Sequence, residues 1–100
     1  MEKMYVLVRE DLDEVYRFIQ AGHAIAEFIL KHEDIARKWN NQYLIYVKVK
    51  DELRIKDWEY KLKLNDVEFE KFLEPDIENQ LTAIAFVSDD KFTEKLQLIK

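Results

Sequence analysis

Residues 4–9 read Met-Tyr-Val-Leu-Val-Arg, a continuous apolar run closed by charge, which predicts a first, largely buried strand. From Asp13 to about Lys31 the period changes. Val15, Phe18, Ile19, Gly22, Ile25, Ala26 and Ile29 recur at i, i+3, i+4 and i+7, the spacing of an amphipathic helix with those residues against a core. Asp11 or Asp13 stands where a side chain caps such a helix. Residues 33–39 read as a further short helical turn, ended by Asn40-Asn41.

Residues 42–50 alternate with period two. Tyr43, Ile45, Val47 and Val49 lie on one face and Leu44, Tyr46, Lys48 and Lys50 on the other, as in a strand with one buried face. Residues 51–64 satisfy two patterns. Ile55, Trp58 and Leu62 suit a helix capped by Asp51, whereas Trp58, Tyr60, Leu62 and Leu64 alternate and would pair through Asn65-Asp66 as a hairpin. Residues 67–73 and 80–87 read as strands. Asp89-Asp90 introduces a short helical turn through Glu94, and residues 96–99 form an apolar tail. The order of elements predicts a single α/β domain of two or three layers around a small mixed sheet. Such sheets place ligands at the carboxyl ends of strands, here where Arg9 leads to Asp11.

At 100 residues with 48% apolar side chains the chain is long enough for one real core. It has no cysteine, so thiolate chemistry, disulfides and cysteine-bound zinc are excluded. His32 beside Glu33-Asp34 reads as a helix start, since the other histidine is nine residues back, and no metal is expected. The apolar run of residues 4–8 is too short for a signal peptide, and no stretch approaches the ~20 residues of a membrane span, so a cytoplasmic protein that needs no membrane is expected. A net charge of −5 disfavours a nucleic-acid partner. The distribution moderates this: residues 31–63 carry 9 basic and 6 acidic side chains, against 1 and 8 in residues 64–90. Lys48, Lys50, Arg54, Lys56, Lys61 and Lys63 therefore form either a basic patch or an ordinary solvated surface.

The most informative motif is Gln20-Ala-Gly-His23-Ala. It sets a glutamine and a histidine one helical turn apart, about 5–6 Å between Cβ atoms, on the stripe shared by Tyr16 and Glu27. Gln20 is then either a solvated side chain or a donor aimed at a carbonyl oxygen, and His23 either orients water or a hydroxyl or bonds a neighbouring strand. With Tyr5-Val-Leu-Val-Arg-Glu-Asp-Leu12, Trp39, Leu81-Thr82-Ala-Ile-Ala and Thr93-Glu-Lys-Leu96-Gln-Leu98-Ile, this motif resembles the type II peptidyl-tRNA hydrolases, in order along the whole chain. The resemblance implies a four-stranded mixed sheet flanked by helices, and it favours the helix for residues 51–64. It also implies metal- and cofactor-independent cleavage of the ester between an acyl group and tRNA. That reaction needs an oriented water, a base and donors for the developing oxyanion.

On this resemblance Gln20, His23, Asp76 and Thr82 are the catalytic candidates, while Arg17, Lys48, Lys50 and Glu74 would hold substrate. Three departures bear on it. Tyr16 occupies the position of the second lysine in the family's Gly-Lys-Gly-Lys, leaving Arg17, ~100° further round the helix, as the nearest cation. Glu74-Pro-Asp76 stands in place of the Asp-Ala-Gly loop of the family it resembles, and Gly22 is the sole glycine where that family is rich in turn glycines. The alternative is therefore a non-catalytic module on the same fold that holds tRNA or a protein, with self-association into a homodimer left open. The position of Arg17 discriminates: a guanidinium in the pocket favours catalysis, one outside it favours binding alone.

Overall fold

The two most apolar strands occupy the centre of the sheet in a computed structural model, which describes residues 2–89. β1 (Lys3–Arg9) and β4 (Gln80–Ser88) run antiparallel and are buried along most of their length. β2 (Tyr43–Val49) pairs parallel to β1 on one side, and β3 (Phe69–Glu74) pairs antiparallel to β4 on the other, giving the order β2-β1-β4-β3. The result is a compact α/β domain with a four-stranded mixed sheet. α1 (Glu14–Lys31) and α2 (Glu33–Trp39) cover one face and α3 (Glu52–Leu64) the other, making three layers.

Alternation along β1 divides the core in two. Met4, Val6 and Val8 meet Ala21, Ala24 and Phe28 of α1, while Tyr5 and Leu7 meet Ile55 and Leu62 of α3. Residues 51–64 thus resolve as a helix. The Asp51 carboxylate accepts from the Arg54 backbone N–H at 3.0 Å, a cap that satisfies one of the free donors of the first turn. Asn40 ends α2 in the left-handed conformation and Asn41 shares it, at φ 54° each. Asp13 sits at the N-cap of α1 without capping it through its side chain, and Asp11 is committed to Arg9 instead. The expectations for residues 90–99, and with them the match at Thr93 to Ile99, fall outside the described residues.

α1 is rotated from the orientation its periodicity predicts. The buried residues are Gln20, Ala21, Ala24 and Phe28, with Ile25 partly packed. Val15, Phe18, Ile19 and Ile29 are 41–66% exposed, and Gly22 and Ala26 are also exposed. The helix carries a second, small-residue stripe (Ala21, Ala24) that lets it approach the sheet closely, and a buried hydrogen-bond network ties Gln20 inward. The larger apolar stripe is left outside.

Candidate functional site

The antiparallel β3–β4 pair contains an irregularity that positions the site. Phe72 pairs with Ala83, but Leu73 pairs with Leu81, so Thr82 is the extra residue of a β-bulge. Without the bulge, Thr82 would alternate onto the α3 face between Leu81 and Ala83. With it, Leu81 joins the α3-side core while Thr82 reaches α1 on the same side as Ala83. The Leu81 N–H freed by the irregular pairing donates to Glu52 Oε2 at 3.1 Å. Arg9, 7% exposed, braces the same corner: its guanidinium is held bidentately by Asp11 and also donates to Gln80 Oε1 at 2.8 Å and to the Leu81 carbonyl at 3.4 Å.

Thr82 Oγ1 donates to Gln20 Oε1 at 2.6 Å, and Gln20 Nε2 donates to Glu74 Oε1 at 2.8 Å. Gln20 and Thr82 are fully buried and Glu74 nearly so. The other Glu74 oxygen accepts from the Asp76 backbone N–H at 3.3 Å. The donated bond from Gln20 lowers the Glu74 carboxyl pKa despite the opposing effect of desolvation, helped by the Asp76 N–H, the Tyr16 hydroxyl and the nearby His23. Burial, the bond to Glu74 and the charge of Glu74 in turn raise the Tyr16 phenol. Tyr16 is therefore an uncharged donor to this carboxylate.

The candidate residues separate into three groups. Gln20, Thr82 and Glu74 come together in one sealed cluster at the carboxyl end of β1. His23 shares their side of the sheet but is exposed, its ring stacked on Phe72 at 4.3 Å between centroids and 7° between planes. Asp76 is exposed in the short 3-10 turn Pro75–Ile77 and reaches the cluster only through its backbone. Arg17 lies on the other flank of α1: its guanidinium acts on the Tyr46 phenol of β2, whose pKa burial raises and Arg17 lowers, and its Nε is buried without a hydrogen-bond partner among the described residues.

The basic residues also divide. Lys48 lies near the carboxyl end of β2 and Lys50 just after it, both exposed, whereas Arg54, Lys56, Lys61 and Lys63 belong to α3 on the opposite face. Three of these four face acidic neighbours, Arg54 with Asp51, Lys56 with Glu52 and Lys63 with Glu59, and Lys61 lies over Trp58. They do not ring the Gln20 cluster.

Two open grooves, of about 490 and 570 Å³, lie at the far end of α1 and around α2. Ile29, Leu30, Ala36 and Trp39 contribute to the first, and His32, Ile35 and Glu68 to the second, so neither includes Gln20, Glu74 or Thr82. His32 Nε2 is 2.6 Å from Glu70 Oε2, a pairing of helix end to strand, and no group of three or more metal-ligating side chains occurs among the described residues. No helix among the described residues is long and apolar enough to cross a membrane.

Sequence reasoning missed Tyr16, Phe72 and the Arg9–Asp11 brace as parts of this corner. Tyr16 had a signal, since it lies one helical turn before Gln20 on the same stripe. Phe72 and the bulge had none, because register shifts depend on the partner strand. No protein-family model matches this chain, and no curated protein matches it.

Proposed function

We propose that this chain is a non-catalytic binding module on a scaffold like that of the type II peptidyl-tRNA hydrolases, and that its ligand is a protein. The observation that carries this reading is the placement of Arg17 beside Tyr46 on the β2 side of α1, whereas Gln20 reaches Glu74 and Thr82 on the β3–β4 side. Ester hydrolysis needs a solvated base and free donors aimed at the developing oxyanion. Here both ends of the Gln20 amide are occupied, Thr82 is sealed, and a carboxylate with a lowered pKa is a weaker base. A protein is favoured over tRNA because the α3 cations face away from the cluster, while the outer side of α1 is apolar.

The hydrolase reading is the second one, and a specific observation favours it: Gln20 and Thr82 meet at 2.6 Å, with exposed His23 close enough to Glu74 to influence its charge. In that reading His23 orients the water and Glu74 or Asp76 assists. Single-turnover release of the acyl group from acylated tRNA separates the two. The binding module releases it no faster than buffer does. Release above background that falls ~10²–10⁴-fold in His23→Ala would overturn the proposal.

A further inference from the structure

We infer that the protein bound by the outer face of α1 is a second copy of this chain, the two α1 helices packing antiparallel about a two-fold axis at Gly22. This inference rests on the binding-module reading and names its partner. Val15, Phe18, Ile19, Gly22, Ala26 and Ile29 form one uncharged stripe along the exposed side of α1, continued by Leu30, which is 79% exposed. The Phe18 ring meets Tyr46 at 5.7 Å, and Leu44, 53% exposed, flanks it on the same face of edge strand β2. From these exposed fractions the apolar surface is roughly 700 Å², more than a soluble monomer usually leaves bare and close to the ~800 Å² that each partner gives to a standard interface.

Gly22 is an independent indication. It is the chain's only glycine, lies mid-helix without a positive φ, and, apart from its chain neighbours and its own helix backbone, nothing lies within 4 Å of the place a Cβ would occupy. Nothing among the described residues of the protomer needs a glycine there, and glycine weakens a helix interior. Close approach of a second helix does need it, since small residues at a crossing set the spacing between axes. A two-fold interface must also be self-complementary. An axis through Gly22 places Gly22 over its own image, Phe18 over the image of Ala26, and Val15 over that of Ile29, so bulky residues meet small ones at the centre and apolar ones at the ends.

Sedimentation equilibrium of the full chain tests this, with Gly22→Leu and Ile19→Glu alongside and circular dichroism to confirm that each variant is folded. The wild type is expected at twice the chain mass of 12.2 kDa at micromolar concentration. Both variants should dissociate at least tenfold more readily, Gly22→Leu with a helix at least as stable as before. A wild type that stays at 12.2 kDa throughout overturns the inference and assigns the face to another occupant. A dimer indifferent to both substitutions also overturns it, because pairing then uses another surface such as the β2 edge. The two readings fail separately: a monomer without ester cleavage removes only the self-pairing, and a dimer with cleavage removes only the non-catalytic role.

Discussion

Glu74 keeps its charge in a nearly closed setting because three donors converge on it: the Gln20 amide, the Asp76 N–H and the Tyr16 hydroxyl. Its folded pKa lies below the usual value of 4.5, so the native state favours the ionised form. The corresponding stability is fully present above that value and is lost as the pH falls through the lower folded pKa. Glu74→Gln is therefore expected to be less stable than wild type at pH 7, with the difference shrinking through the acid limb as the wild-type carboxyl protonates. Urea unfolding between pH 7 and pH 3 measures this, and a constant difference across the range would show that the charge does not matter. At this scale the sequence was partly informative. The family resemblance grouped Gln20 and Thr82 with His23 and Asp76, but neither the bond between Gln20 and Thr82 nor the choice of Glu74 over Asp76 was legible. Both acids flank Pro75, and only strand register shows that Glu74 points inward while Asp76 lies exposed inside the turn that Glu74 caps.

Among the elements, α3 and the β3–β4 connection illustrate opposite degrees of legibility. Residues 51–64 satisfied helix and hairpin patterns alike, and Asp51 with its 3.0 Å cap is the local feature that agrees with the helix. For α1 the period was right and the buried face was wrong. A helix with apolar residues on two sides gives no signal in its own sequence for which side meets the sheet, and Gln20 sits inward only because the bulge at Thr82 supplies a donor to it. After β3 the chain turns through Glu78 and Asn79, both left-handed at φ 61° and 58°. A side chain with a Cβ is strained there by ~1–2 kcal/mol, and Glu78 makes no compensating side-chain bond among those described. Glu78→Gly is thus expected to raise stability by about 1 kcal/mol, less the extra entropy that glycine gives the unfolded chain. Chemical denaturation gives the value, and a loss of stability would mean that Glu78 is held by something beyond its backbone.

For the whole molecule, the apolar run of β1 made it legible as a buried strand, and alternation in β2 identified its α3-facing residues Ile45, Val47 and Val49, whereas the strand order had to come from the structure. The charge pattern was less informative, because a basic count between residues 31 and 63 says nothing about which face of the sheet the helix carrying it will cover. The central claim is that the Gln20–Glu74–Thr82 cluster fastens α1 to the β3–β4 pair and is built for structure. A double-mutant cycle with Gln20→Met and Thr82→Val, read by urea unfolding at pH 7, tests it most directly. Thr82→Val keeps the shape but leaves the buried Gln20 oxygen without its donor, and Gln20→Met removes the amide from Glu74. A fastening predicts a loss of ~1–3 kcal/mol for each single substitution. It also predicts a double variant that loses less than the sum, by ~0.5–3 kcal/mol of coupling. Single variants as stable as the wild type or more stable, the behaviour of a site that trades stability for activity, would contradict the account and return these residues to catalysis.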